Sequence, residues 1–410
     1  MAAMNDVKVR NILEVVKELR NKGPISKPEI AQNLGLTGAS VHNFISELME
    51  KGIAVEDGTA KSRGGRRAVL YNIYGGCGYL LGQDFSHTRL NTHLYDLKLN
   101  RLYMGQTEIS KEYNLKVLDT MRCELEKALA QTGVPRERCL GIGVSIPGLV
   151  DHENGVVFSI PILNGWSNVP VKSYLEERLG IQTLVENDVN AMVLADKWVY
   201  DIPANGLVAL SISRGMGAGI VTQDMLFRGA KSTAGEIGHT TIRYDGIPCT
   251  CGNRGCLDAY VRATEKTLIQ KVEQKTGLEI GELDHLQVTE LMEKEDTEIL
   301  RIMEDFAEYV SIALDHIYKL YAPEHIVIHS DWLTPFRDLR YRIIDNLFSR
   351  NSWLQPDELR IVFAGVQEHL RYAGAVQVLD YIFNAESEMG RAFFNVIVSP
   401  QGNALEQICE

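Results

Sequence analysis

Four soft metal ligands crowd into one short stretch of the chain. His239 is followed by Cys249, Cys251 and Cys256, in the pattern H-x9-C-x-C-x4-C. Glycines at 246, 252 and 255 let a tight loop turn these side chains inward. Three thiolates and an imidazole suit a tetrahedral zinc ion. With all four positions filled by protein, such a site is closed and therefore structural. Free buried thiols or a redox pair are the alternatives. Seven cysteines in 410 residues do not make a disulfide scaffold, and the expected compartment is the reducing cytoplasm.

A second group with chemical potential lies near the start. Lys61-Ser62-Arg63-Gly64-Gly65-Arg66-Arg67 sets four cations around two glycines, which suits a phosphate backbone or a minor groove. The net charge is −12, which argues against a protein that coats nucleic acid. The average hides an asymmetry: residues 1–70 carry +3 and the remainder −15. One end is expected to meet DNA and the other not.

The elements that must position these cations are legible. Val9, Ile12, Leu13, Val16 and Leu19 recur at helical spacing, and Gly23-Pro24 ends that helix. Ser26 with Glu29 forms a capping box for a short second helix that stops at Gly35. Thr37 caps a third, whose buried stripe is Val41, Phe44, Ile45 and Leu48. This is a helix-turn-helix, with Ala39, His42, Asn43 and Ser46 left to face base edges. Two strands flanking the basic loop, Ile53–Val55 and Ala68–Ile73, complete a wing. The wing's Arg63, Arg66 and Arg67 are the expected phosphate contacts. A protein-interaction module is the competing reading of the helices alone.

Gly75-Gly76 marks a boundary, after which the pattern is α/β throughout. Tyr79–Phe85, Thr88–Asp96 and Arg101–Ile109 read as three strands, followed by a helix, the strand Leu140–Ile146, a helix, and the strand Thr183–Glu186. Gly206–Ser213, Gly219–Gln223, His325–His329 and Leu359–Phe363 repeat the theme more loosely, which predicts two related lobes around a cleft. Expected domains are a winged helix over 1–73, an α/β domain over 75–385 and a C-terminal extension over 386–410. No run approaches the ~18 apolar residues of a membrane span, and the N-terminus lacks the apolar core of a secretory signal.

The stretch A-G-E-I-G-H (234–239) followed by C-T-C-G-N-R-G-C-L-D (249–258) resembles the signature of the ROK family of sugar-responsive repressors and sugar kinases. The resemblance extends over about 75–385, and the winged helix fits the repressor branch. It implies a two-lobed, actin-like (ribonuclease H-like) domain, usually in a homodimer or homotetramer. It also implies a sugar site built from Gly148, Asn187, Asp188, Glu236, His239 and Asp258. Buried carboxylates suit adjacent sugar hydroxyls, and His239 would serve zinc with one nitrogen and a hydroxyl with the other. Two departures stand out. Asp258 replaces the usual Glu, and the family's Asn shortly before a Gly-Trp is shifted to Asn164. Read singly, Glu236 could instead cap a helix or pair with Arg243, and Asp188 could cap the helix that it opens.

Kinases of the family carry D-x-G-G-T and G-T-G-x-G-x-G as phosphate loops, because backbone N–H groups must reach the nucleotide. Here the first reads Asp84-Phe85-Ser86-His87-Thr88 and the second Ser213-Arg214-Gly215-Met216-Gly217-Ala218-Gly219. The expectation is a non-enzymatic, sugar-responsive regulator, a repressor that binds double-stranded operator DNA and a monosaccharide or its derivative. The alternative is an ATP-dependent sugar kinase with a DNA-binding head. Glucose, xylose, N-acetylglucosamine and phosphorylated sugars all remain open.

Overall fold

The first helix, α1 (Ala2–Lys22), forms because Ile12, Leu13, Val15, Val16 and Leu19 make one continuous apolar stripe, and all five are buried. It stops at Gly23-Pro24, a cis peptide. The structure is a computed structural model. It describes residues 2–61, 67–86, 89–109, 115–160, 165–213, 215–277, 288, 290, 291, 294, 296–331, 333, 336–384, 387 and 389–393.

Strand β1 (Ile25–Ser26) leads into α2 (Lys27–Leu34), where the Glu29 carboxylate accepts from the Ser26 N–H at 3.0 Å and its hydroxyl at 2.5 Å. Those two hydrogen bonds lower the Glu29 pKa. Gly35, in the left-handed region at φ 62°, ends α2, and the Thr37 hydroxyl accepts from Ser40 N–H to start α3 (Gly38–Glu50). Strands β2 (Ala54–Thr59) and β3 (Val69–Ile73) pair antiparallel, and β1 adds to the far side of β3. The sequence-predicted winged helix-turn-helix is therefore present. Within α3, Val41, Ile45 and Leu48 are buried, whereas Phe44, expected in the same stripe, is only half-buried.

Contacts divide the chain into two compact units, Met1–Asp188 with Arg371–Glu410, and Val189–Leu370. In the first, β4 (Tyr79–Ser86), β5 (Arg89–Asp96) and β6 (Arg101–Glu108) form an antiparallel meander. After α4 (Leu115–Thr132), β7 (Cys139–Ile146) joins β4 in parallel. A small sheet of β8 (Leu149–Asp151), β9 (Val156–Ser159) and β10 (Val169–Pro170) follows; it was not expected from sequence, since two to four residues carry no readable alternation. Next come α5 (Val171–Leu179) and β11 (Thr183–Asn187), which pairs parallel with β7. The sheet order is β11-β7-β4-β5-β6. Helix α6 (Asp188–Val199) then carries the chain into the second unit.

There β12 (Gly206–Ile212), β13 (Met216–Thr222) and β14 (Met225–Leu226) again form a meander. After α7 (Leu257–Thr276) and α8 (Thr297–Tyr321), β15 (His325–His329) pairs parallel with β12. Helix α9 (Arg337–Arg350) then leads to β16 (Arg360–Ala364), parallel to β15, giving the order β14-β13-β12-β15-β16. The same plan thus occurs twice, as the duplicated lobes predicted. Each sheet has its own core, around Leu81, Leu94, Met121 and Val144 in one and around Leu210, Phe306, Leu314 and Ile343 in the other.

The final helix, α10 (Val366–Ile382), crosses back at Leu370/Arg371. Its Gly374 lies against Gly82 and Gly143 of the first sheet, where a Cβ at Gly143 would collide with the Gly374 carbonyl. Only glycine permits helix and strand to approach this closely.

Candidate functional site

On α3, Ala39, His42 and Asn43 are exposed and Ser46 is half-buried, all on the face away from Val41, Ile45 and Leu48. Lys27 stands beside them, with Nζ 3.1 Å from His42 Nδ1. Arg67 is exposed; Arg63 and Arg66, expected at the wing tip, lie outside the described residues.

The Cys/His cluster forms as the spacing predicted. One potential ligand atom each from His239, Cys249, Cys251 and Cys256 falls within 4.8 Å of the others, so the group could hold a metal ion. Cys249 Sγ is 3.5 Å from His239 Nδ1, and Cys251 Sγ is 3.7 Å from Cys256 Sγ. The loop is folded by its own backbone: Cys249 N–H donates to Asn253 O at 2.8 Å and Ile242 N–H to Gly255 O at 2.9 Å. Gly255 has φ 70° and lies against the Arg243 carbonyl, so no side chain fits there. Burial pushes the Cys256 thiol up to about 12, while the Asn253 N–H lowers that of Cys251. A bound cation would reverse the first effect, because a coordinating thiol is deprotonated outright. The other face of the imidazole, Nε2, points toward Glu236 Oε2 at 3.9 Å.

The residues that the ROK resemblance assigns to sugar fall into two groups, one in each unit. In the first, Asn187 Nδ2 donates to the Gly148 carbonyl at 3.0 Å, and Asp188 opens α6. Gly148, at φ 149°, lies against the Ser159 carbonyl, where any Cβ would collide. In the second, exposed Glu236 precedes the single turn Ile237–His239. Arg243 pairs with Asp245 at 2.9 Å rather than with Glu236. Asp258 is 2% exposed; its Oδ1 accepts the Met216 N–H at 3.0 Å, and its Oδ2 lies 2.8 Å from Arg262 Nε. Asn164 lies outside the described residues.

Of the segments that correspond to the kinase phosphate loops, Asp84–Ser86 lies in β4 and Met216–Gly219 in β13. Asp84, buried within β4, accepts from Asn91 Nδ2 at 2.7 Å and lies 3.3 Å from His93 Nε2. His87, Thr88 and Arg214 are outside the described residues. Strand β13 starts at Met216, three residues before the predicted Gly219, because Met216 and Gly217 pair with Ile212 and Ser211. Ser213 N–H closes this hairpin onto the Gly215 carbonyl at 3.1 Å.

A further cluster escaped sequence reasoning. Asp196 of α6, His329 of β15 and His369 of α10 meet in the interior of the second unit. They are separated by 133 and 40 positions in the chain, so no local spacing announces them.

The ROK family profile matches residues 80–334, and a winged helix-turn-helix DNA-binding profile matches residues 10–54. The chain belongs to the ROK family, with an N-terminal winged helix and an actin-like α/β domain. It is 31% identical over 333 residues to the xylose repressor of Caldicellulosiruptor bescii, covering 78% of this chain and 82% of that one. It is 23% identical to the DNA-binding transcriptional repressor Mlc of Escherichia coli, over 93% of this chain and 95% of the other. The crystal structure of a ROK family transcriptional regulator, a homologue of Mlc, shares the fold with a TM-score of 0.75 at 23% identity, covering 96% of this chain and 99% of its own.

Proposed function

We propose that this protein is a sugar-responsive transcriptional repressor without kinase activity. The observation that carries the reading is the exposed α3 face, Ala39, His42, Asn43 and Ser46, on a winged helix joined to a ROK domain. Small and polar groups on a recognition helix suit base edges in a major groove, and Arg63, Arg66 and Arg67 suit phosphates. The xylose repressor and Mlc relatives support the same reading. The effector is a monosaccharide or sugar derivative, held by Gly148, Asn187, Asp188, Glu236, His239 and Asp258. Of these, Asp258 already serves Met216 and Arg262, so it acts chiefly by fixing the start of β13. Zinc is the metal that best fits three thiolates and one imidazole, and His239, Cys249, Cys251 and Cys256 would hold it in a closed structural site. When bound, it supplies a cross-link that orients His239 with Nε2 left for a hydroxyl. The assembly is a homodimer or homotetramer working in the cytoplasm.

A screen of monosaccharides and sugar phosphates by thermal shift identifies the effector. A ligand at 100 times its Kd adds about 2.7 kcal/mol of stability. The identified sugar should then change operator affinity in a fluorescence anisotropy titration. The same sugar with ATP and magnesium should give no phosphorylated product. Turnover near ~1 per second, in the ordinary kinase range, would favour the kinase reading instead.

A further inference from the structure

Asp196, His329 and His369 are 0%, 0% and 3% exposed. His329 Nε2 lies 3.0 Å from Asp196 Oδ2, and His369 Nδ1 lies 2.7 Å from Asp196 Oδ1. The two imidazole rings are 4.4 Å apart at 71°. Among the described residues, the cationic partners of Asp196 are these two histidines alone; its sequence neighbour Lys197 pairs with Asp224 at 2.9 Å.

The hydrogen bonding of this group is incomplete. The His329 contact is a good hydrogen bond. The His369 contact is shorter, yet neither Asp196 Oδ1 nor His369 Nδ1 is in hydrogen-bond geometry with any partner, and His329 Nδ1 also lacks one. Two polar atoms so close and yet not aimed along an N–H···O line share a common target better than they serve one another. A buried polar atom with no hydrogen bond is destabilising.

We infer that Asp196, His329 and His369 form a second metal site, which takes a divalent first-row transition ion through one carboxylate and two imidazoles. One ligand atom from each residue lies within 4.8 Å of the others. Ligands about 2.1 Å from a common ion stand ~3.0–3.4 Å apart, and the two histidine–carboxylate contacts, 3.0 and 2.7 Å, lie close to that spacing. The donor set is nitrogen and oxygen with no thiolate, which separates it chemically from the Cys/His loop. Each imidazole would ligate in its neutral form through a ring-nitrogen lone pair, and the ion would balance the carboxylate. Its three ligands come from α6, the carboxyl end of β15 and the first turn of α10. Asp196 and His369 thus lie on the two helices in which the chain passes from one unit to the other, and the ion ties both to β15. Tyr200, stacked on His369 with ring centroids 4.1 Å apart, closes one side of that imidazole.

The test uses the full chain, stripped by a chelator under reducing conditions and titrated with Zn²⁺ alone. Bound metal is counted by elemental mass spectrometry after desalting. The proposal expects two ions per chain in the wild type. It expects one in Cys251→Ala, and a second equivalent bound at least ~100-fold more weakly in His329→Gln and His369→Phe, as loss of a direct ligand requires. One ion in the wild type, or two retained at full affinity in both histidine variants, overturns it. Should those variants fail to fold, cadmium-113 resonance on the wild-type protein decides. Two signals are expected, one in the sulfur-rich range and one in the nitrogen/oxygen range. A sulfur-rich signal alone overturns the proposal.

Discussion

The thiol loop and the buried Asp196 cluster gather metal-binding side chains in the same unit by opposite means. The loop residues lie between β14 and α7, His239 in the single turn Ile237–His239 and the cysteines on irregular backbone, with Cys251 exposed. Little apolar packing holds them: of the three residues in their own small cluster, two are the cysteines themselves. Asp196, His329 and His369 instead sit on two helices and a strand that the core already fixes. Burial alone would raise the Asp196 pKa, but His329 and His369 outweigh it and hold the carboxyl below its ordinary value. The contrast is that the loop rests on its own turn hydrogen bonds and would gain a cross-link from an ion, whereas the buried group is already shaped by the fold and would gain only the ion's charge.

Cys251→Ala breaks the comparison most severely. The loop should lose its ion and the domain about 4 kcal/mol or more, the scale of a lost metal. Elemental analysis with chemical denaturation checks this; an unchanged midpoint with metal absent would show that the loop folds unaided. The next effect belongs to the head. Arg66→Ala with Arg67→Ala should weaken operator and random DNA alike and reduce the salt slope by about 1–2. Asn43→Ala should instead cost about 1–3 kcal/mol on the preferred operator and relax base preference at one position. Equal losses on all sequences for both variants would remove Asn43 from the base-reading face.

The smallest effect is at the capping box. Ser26→Ala should destabilise the head by about 0.5–2 kcal/mol. The sign with pH follows from the lowered Glu29 pKa: its contribution is present above the ordinary value of 4.5 and is lost as pH falls through the folded value. Melting curves of both proteins between neutral and acid pH should therefore converge on the acid side. Parallel curves throughout would show that Glu29 contributes nothing there.

These regions also divide by how far sequence could reach. The capping box, the Thr37 cap and the Cys/His loop are local: four to eighteen residues contain the whole pattern and its physical cause. Apart from the two-residue β14, the duplicated sheets were legible because their strand runs are long enough to show a period. The short strands β8 to β10 and the start of β13 were not, since pairing partners rather than local periodicity decide them. Asp258 reads as a sugar ligand by motif, and only the fold shows its carboxylate turned to Met216 and Arg262. Asp196, His329 and His369 were invisible for the same reason, as tertiary contact alone unites them.

The central claim is that a sugar held by the ROK domain alters DNA binding by the head. The linkage is tested most directly at Asp188, which opens α6 where the chain passes into the second unit. Asp188→Asn keeps the side-chain shape and removes a charged acceptor. Operator titrations with and without the effector sugar should give about a 5–150-fold change in affinity for the wild type, the usual range for coupled sites. The variant should show no such change, with sugar-free operator affinity near that of the wild type. A variant that responds to sugar as fully as the wild type would contradict the account.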